Sequence, residues 1–248
     1  MIGSEVTSKT GQVKSWFESP DKYLLRRQFD IRIRIETVQE FTKNRNFNRV
    51  LDIGCGDGSI SLPLLSRSTK VTLLDVSTNM LARARTRIPT DLADNVEVIN
   101  GGFLDARLEP QSFDLILCLG ILAHVDSPSL IIAEIARIAT PGATVILEFT
   151  DSFHFWAMPN TVYQNLLSLI RPMPWALNRL NQQDIMRMCC DNNLNLMELY
   201  RYGLPPIGVG GITGQEGMYR MTRYLFGPSN RNRNRWMGNE FICRLEKS

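Results

Sequence analysis

The chain has no hydrophobic run long enough to cross a bilayer and no strong excess of charge of either sign. Its 248 residues carry a net charge of +3 at pH 7, with 44% hydrophobic and 21% charged residues. These values are ordinary for a globular protein and do not by themselves indicate a nucleic-acid partner. The first residues, M-I-G-S-E-V-T-S-K-T, lack the apolar centre of a signal peptide. The sequence predicts a cytoplasmic protein and leaves its oligomeric state open.

Cysteine is scarce, and its spacing excludes two kinds of site. The five cysteines are odd in number and irregularly spaced, which makes a disulfide framework improbable. Cys55, Cys118 and Cys243 stand inside apolar stretches. Cys189 and Cys190 are adjacent rather than arranged as C-x-x-C, so they predict buried thiols and no metal site.

Between residues 49 and 149, short apolar runs alternate with stretches of helical spacing. The runs are R-V-L-D-I, K-V-T-L-L-D, V-E-V-I-N, F-D-L-I-L-C-L and T-V-I-L-E-F. Continuous apolar runs of this length are typical of parallel strands buried on both faces. The alternation predicts an α/β fold with a Rossmann-like, doubly wound and mostly parallel sheet. We expect E-F-I-C-R-L-E-K to be a last, antiparallel strand.

Two regions flank this core. Residues 10–43 have helical spacing, and although F-D-I-R-I-R-I-E also alternates as a strand does, its helical flanks favour a helix. After residue 149, W-A-L-N-R-L-N-Q-Q-D-I-M-R-M-C-C predicts a helix and L-M-E-L-Y-R-Y a strand. Residues 203–238 are rich in Gly, Pro and Arg and too long for a hairpin turn, so they predict an elaborated loop or lid with some helix in it.

A glycine loop, in V-L-D-I-G-C-G-D-G-S, follows the first strand. Its spacing, with Gly54, Gly56 and Gly58, matches neither the NAD fingerprint G-x-G-x-x-G nor the phosphate loop, which needs a following lysine. Bare backbone at the carboxyl end of a parallel strand is where ligands bind in such sheets. Asp52 and Asp57 would repel a pyrophosphate and favour a cationic ligand.

Asp75 ends the second strand, seventeen residues beyond Gly58. An acid at this place in a nucleotide-binding half accepts hydrogen bonds from ribose hydroxyls, and its charge disfavours a 2′-phosphate. The loop and this acid together indicate a ribose without phosphates, next to a positively charged tail. S-adenosylmethionine has these properties.

The quoted loop, together with L-L-D-V-S-T-N-M-L-A-R-A-R and F-D-L-I-L-C-L-G-I-L-A-H-V, resembles the class I, Rossmann-like S-adenosylmethionine-dependent methyltransferases over about residues 45–150. The resemblance implies a methyltransferase domain over residues 45–248 with S-adenosylmethionine as cofactor. Residues 1–44 would form an N-terminal helical lid, and segments 151–180 and 203–238 would cover the substrate side. The cofactor-binding residues implied by it are Asp52, Gly54, Cys55, Gly56, Gly58, Asp75, Val76, Met80, Gly102, Phe103, Leu119 and Gly120.

One position departs from the family pattern. Members often have G-D-x after the third strand, where the acid accepts a hydrogen bond from the adenine amino group. Here the sequence is G-G-F-L-D, with Gly102 in the place of the acid. Phe103 still offers its backbone amide and its ring to the adenine, whereas the register of Asp105 is unfavourable for replacing the missing carboxylate.

Two histidines are the candidates for a general base, since removing a proton from a hydroxyl or an amine is usually the task of histidine. His124 follows the fourth strand, where a capping or packing role is the alternative. His154 follows the fifth strand, on a loop that in relatives often helps to line the acceptor pocket. The expected pocket residues are Phe153, Phe155, Trp156, Tyr163 and Tyr23, for which ordinary packing is the alternative.

The leading hypothesis is methyl transfer to oxygen or nitrogen of a small-molecule acceptor, without a membrane partner. The fourth strand is followed by L-G-I-L and not by the Asn/Asp-Pro-Pro-Tyr sequence of enzymes that methylate bases or glutamine. The basic run R-N-R-N-R before Trp236 leaves RNA or protein methylation as an alternative. A non-catalytic S-adenosylmethionine-binding module is a second alternative. Tyr23, Arg32 and Arg34 would reach the cofactor carboxylate if the N-terminal helices close over the site.

Overall fold

The computed structural model describes residues 18–158, 177–203 and 209–248, together with Gly11 and Ser15. Its strands lie in one sheet. They are β1 (Arg49–Ile53), β2 (Lys70–Asp75), β3 (Val96–Asn100), β4 (Phe113–Cys118), β5 (Ala139–Thr150), β6 (Leu194–Tyr202) and β7 (Glu240–Lys247). The order across the sheet is β3-β2-β1-β4-β5-β7-β6. Neighbours from β3 to β5 are parallel, and β7 is antiparallel to both β5 and β6. The predicted fold class is confirmed.

Helices cover both faces of the sheet. In the described part of the chain they are α1 (Pro20–Arg26), α2 (Gln28–Thr42), α3 (Thr78–Arg87), α4 (Pro128–Ile138), α5 (Gln182–Asp191) and α6 (Val209–Phe226). α3 begins after Ser77 and α4 after Ser127, and each serine side chain accepts a hydrogen bond from a backbone N–H of the first turn. Such caps satisfy N–H groups that have no partner within the helix. Among these helices, none is both long and apolar enough to pass through a lipid bilayer.

Alternate residues of the strands pack into two apolar layers, one on each face of the sheet. Leu51 and Ile116 point to the layer under α4 and α5, whereas Val50 and Leu115 point to the layer under α2 and α3. Because both faces are covered, the strands read as continuous apolar runs in the sequence. Each fully buried Leu or Ile side chain in these layers stabilises the fold by about 1.5–3 kcal/mol.

The segment whose period was ambiguous is helical in α2. Phe29, Ile33 and Phe41 are buried at helical spacing, whereas Ile31 and Ile35 are only half-buried on its flank. A strand would have placed Ile31, Ile33 and Ile35 on one face. Ile33 and Phe41 enter the same apolar layer as β1 and β4.

α2 also packs against α6. The Glu36 carboxylate accepts from the Tyr219 hydroxyl at 2.8 and 3.0 Å and pairs with Arg223. α6 supplies the helix expected within residues 203–238. The boundary at residue 44 and the covering of the site by segments 151–180 and 203–238 stay predictions.

Two local predictions were wrong. The helix expected over W-A-L-N-R-L-N-Q-Q-D-I-M-R-M-C-C begins, in its described part, only at Gln182, because the Asn181 side chain caps it and Leu180 pairs with Asp151. Residues 175 and 176 lie outside the described residues. Cys189 is buried as expected, but Cys190 is exposed, since the helix turns it away from the sheet.

Candidate active site

The glycine loop lies at the carboxyl edge of the sheet, directly after β1. Gly54, Gly56 and Gly58 have φ angles of +69°, +54° and +72°, a region that side-chain-bearing residues rarely adopt. A Cβ atom on Gly54 would lie 2.0 Å from Cδ1 of Ile121. The N–H groups of Gly54 and Cys55 donate to the Leu74 carbonyl at 2.7 and 3.0 Å, which ties the loop to β2.

Asp75, at the end of β2, holds the loop from the other side. Its Oδ2 accepts from the Gly56 N–H at 2.9 Å, and its Oδ1 accepts from the Ser77 N–H at 2.8 Å. Burial raises the pKa of Asp75, and these N–H bonds oppose that rise. Each carboxylate oxygen has a second lone pair, so Asp75 can accept further hydrogen bonds from a ligand.

Asp52 is a buried acid on β1, below the loop. Its side-chain Oδ2 has no hydrogen-bond partner among the described residues. Burial, together with the charges of Asp75 and Asp57, raises the pKa of Asp52 to about 7. A cationic group bound nearby would stabilise its carboxylate. Asp57, by contrast, already pairs with Arg87 at 2.5 Å.

The predicted adenine side lies around β3. Met80 and Phe103 are buried, and Val76 is half-buried. The short turn Phe103–Asp105 brings the Asp105 carboxylate back towards Gly102, where a Cβ atom would lie 2.6 Å from Oδ2. The spacing in the sequence did not predict this return. Glycine at position 102 leaves the room that the Asp105 carboxylate occupies.

An arginine lies at the end of β4. A Cβ atom on Gly120, which has a φ of +73°, would lie 2.9 Å from Nη2 of Arg34. Arg34 comes from α2, and its Nε lies 2.8 Å from Oε2 of Glu148 on β5. Leu119, one residue before Gly120, is buried. The structure therefore brings a cation from the N-terminal helices to the carboxyl edge of the sheet.

The sequence analysis missed a buried polar cluster beside this arginine. The Tyr202 hydroxyl donates to Oε1 of Glu148 at 3.3 Å, and the Thr150 hydroxyl donates to Oε2 of Glu240 at 2.8 Å. Burial and the Glu148 charge raise the pKa of Glu240 to about 8. The feature of the sequence that could have indicated this cluster is Glu148, a carboxylate inside the apolar run T-V-I-L-E-F.

The two candidate histidines lie on different loops. His154 is half-buried, and its Nε2 lies 2.9 Å from the Trp236 carbonyl oxygen. Since a carbonyl only accepts, Nε2 carries the proton in this contact. His124 is also half-buried, within a turn that Asn178 holds by donating to the carbonyls of Leu122 and Val125 at 2.9 and 2.6 Å. A catalytic role stays a prediction for both histidines.

The expected acceptor-pocket residues are partly described. Phe153 and Phe155 are 58% and 49% exposed, and the Phe155 ring stacks on Trp236 with 5.8 Å between centroids. Tyr23 lies in α1 and Trp156 in a short turn, while Tyr163 lies outside the described residues. Their role in acceptor binding stays a prediction.

The N-terminal helices lie beside the glycine loop. A cavity of about 300 Å³ separates them, lined by Leu24 and Leu25 of α1, Ile31 of α2, and Asp57 and Ser59 of the loop. Within the described residues, no group of three or more His, Cys, Asp or Glu side chains is arranged to hold a metal ion.

Comparison with known proteins supports the predicted fold. Residues 51–147 match the family model described as a methyltransferase domain, over the segment that contains β1 to β5. This segment of the chain is therefore similar to a methyltransferase domain. A ubiquinone biosynthesis O-methyltransferase of Burkholderia thailandensis is 32% identical over 123 residues, 49% of this chain and 47% of that protein. The chain thus matches about half the length of this curated relative.

Two solved structures share the fold of this chain over nearly its whole length. One is a possible histamine N-methyltransferase from Thermotoga maritima, with a TM-score of 0.66, 16% identity and coverage of 97% of this chain and 100% of that one. The other is the magnesium protoporphyrin IX methyltransferase of Synechocystis with bound S-adenosylhomocysteine, with a TM-score of 0.65, 19% identity and the same coverage. At these identities the likeness concerns the fold alone.

Proposed function

We propose that this protein is a methyltransferase that transfers a methyl group from S-adenosylmethionine to an oxygen or nitrogen of a small-molecule acceptor in the cytoplasm. The observation that carries the proposal is the meeting of Asp75, Asp52 and Arg34 around the glycine loop and Gly120. Two acids and one cation at this edge complement a ligand that bears a ribose, an ammonium group and a carboxylate. The O-methyltransferase relative supports an oxygen acceptor.

The residues present fit the cofactor. Positive φ angles at Gly54 and Gly56 leave a cradle that a side chain would fill. In this proposal Asp75 accepts from the ribose hydroxyls, Asp52 lies near the ammonium group, and Arg34 contacts the carboxylate. When bound, S-adenosylmethionine supplies a methyl group on a positively charged sulfur. The predicted adenine neighbours are Val76, Met80, Gly102 and Phe103.

The protein's own task in such a transfer is alignment and proton removal. The glycine loop and Asp75 fix the cofactor, and α1 and α2 serve as a lid that excludes water. His154 is the preferred base, because it lies among the aromatic residues expected to line the acceptor pocket. With the proton on Nε2, its Nδ1 is the nitrogen that accepts the acceptor's proton.

RNA methylation is a second candidate, favoured by one observation. Arg231, Arg233, Arg235 and Trp236 are all exposed in one short segment. Titration of bulk tRNA across a salt series tests this candidate, because binding through phosphates weakens steeply as salt rises. Tight, steeply salt-dependent binding would favour RNA, whereas weak binding at physiological salt favours a small-molecule acceptor.

The proposal is tested by Asp75→Ala, with S-adenosylhomocysteine binding measured by calorimetry. We expect the dissociation constant to rise about 5- to 150-fold, because a charged hydrogen-bond acceptor is lost. Asp114→Ala is the matched control, since Asp114 also accepts two backbone N–H bonds, from Asn48 and Arg49, but at the opposite edge of the sheet. Unchanged affinity in Asp75→Ala would refute the ribose role.

A further inference from the structure

Arg34 is held between two features of the carboxyl edge. On one side its Nη2 lies so close to Gly120 that a Cβ atom added to this glycine would be only 2.9 Å away. On the other side its Nε lies 2.8 Å from Oε2 of Glu148, whose side chain is only 2% exposed. The long arginine side chain therefore crosses from α2 to the sheet and ends beside the loop that follows β4.

Glu148 is itself held from β6, which lies two strands away across β7. The Tyr202 hydroxyl on β6 donates to its Oε1, and both residues are buried. Burial and the charge of Glu148 raise the pKa of the nearby Glu240, which weakens its competition for the Arg34 guanidinium. The ion-pair partner of Arg34 in this cluster is Glu148.

A buried ion pair of this kind contributes little net stability, because the desolvation of both ions offsets their attraction. Its effect on geometry is larger. A free arginine has many rotamers, and fixing it before a ligand arrives removes that cost from binding. The pair lies where three strands bring their carboxyl ends together, a place that sheets of this topology use for ligands.

We propose that Glu148, held by Tyr202, is a positioning residue that fixes the Arg34 guanidinium for the carboxylate at the amino-acid end of the cofactor. The inference rests on the proposed function, because it takes Arg34 as the carboxylate's partner. It explains why the apolar strand β5 contains the carboxylate of Glu148, and it assigns a role to residues outside the glycine loop.

The test compares two ligands by calorimetry. S-adenosylhomocysteine has the amino-acid end, whereas 5′-methylthioadenosine has the same nucleoside and thioether without it. Glu148→Gln is expected to weaken binding of S-adenosylhomocysteine about tenfold, since a charge-assisted contact is lost, and to change that of 5′-methylthioadenosine less than about twofold. In an Arg34→Ala background, Glu148→Gln is expected to have no further effect on either ligand.

Two further variants keep the test sharp. Tyr202→Phe removes only the hydroxyl and is expected to weaken binding of S-adenosylhomocysteine more than binding of 5′-methylthioadenosine. This variant preserves the test if Glu148→Gln fails to fold. Glu198→Gln is the matched control, because Glu198 also forms an ion pair across β6 and β7, with Arg244 at 2.6 Å, away from the site.

The outcomes separate the two proposals. Equal weakening of both ligands in Glu148→Gln and Tyr202→Phe, or no weakening of either, would overturn the positioning role while leaving the proposed function intact. If the wild-type protein binds neither ligand, the proposed function fails, and the positioning role fails with it. Selective loss of S-adenosylhomocysteine binding supports both.

Discussion

Glu240 gives the most quantitative prediction about stability. Its side chain is buried at the start of β7, and its pKa is about 8 in the folded protein against 4.5 for a solvated glutamate. At pH values between these two pKa values, the folded state therefore keeps a proton on Glu240 that the unfolded state has already released. Glutamine at this position mimics the protonated form, so Glu240→Gln removes this dependence on pH.

The sign and the size follow from the two pKa values. Because the folded pKa is raised, the contribution of Glu240 to stability is fully present below pH 4.5 and is lost as the pH rises towards 8. Each pH unit in this window costs about 1.4 kcal/mol. Between pH 5.5 and 7.5 the stability of Glu240→Gln relative to wild type should increase by roughly 2–3 kcal/mol.

The assay is urea unfolding of both proteins at several values of pH in this range. Taking the difference between the two proteins removes the titration of all other groups and any constant effect of the amide. Glu246→Gln controls for the removal of one carboxylate from the same strand, since Glu246 is only half-buried. A difference between Glu240→Gln and wild type that stays constant with pH would refute the burial of a protonated Glu240.

Three further predictions concern the site. The affinity for S-adenosylhomocysteine should fall up to about tenfold per pH unit below pH 7, because Asp52, with a pKa of about 7, becomes protonated. Calorimetry should show no dependence of this affinity on pH in Asp52→Asn. The same independence of pH in the wild-type protein would contradict the prediction. His154→Ala should lower kcat by about 100-fold with cofactor affinity unchanged, and a loss below about threefold would remove it from the mechanism. Gly54→Ala should lower the melting temperature and abolish cofactor binding, because its Cβ meets Ile121, whereas Gly101→Ala, with nothing within 4 Å, should do neither.

The strands β1 to β5 and the glycine loop are predictable because they rest on local patterns. The apolar runs that form β1 to β5 are continuous, since helices cover both faces of the sheet. Asp75 could be placed because it ends one such run, and carboxyl ends of parallel strands meet at one edge. At this edge Asp75 accepts from the Gly56 N–H, whereas the contacts of Asp75 and Asp52 with a cofactor stay predictions.

The remaining features depend on contacts between distant parts of the chain. Glu148, Tyr202 and Glu240 come together only because β7 lies between β5 and β6, a pairing that no local pattern specifies. Asp105 returns to Gly102 through a short turn that spacing alone does not reveal. α5 begins after Asn181, whose side chain caps it. The sequence did not indicate this start, because the helical pattern begins before Asn181.

The most direct test of the central claim is calorimetric titration of the wild-type protein with S-adenosylmethionine and S-adenosylhomocysteine, each repeated in the presence of excess NAD. The acids around the glycine loop predict micromolar binding of both compounds, undisturbed by the pyrophosphate-bearing nucleotide. Absence of binding at millimolar concentration, or displacement of either compound by NAD, would contradict the account.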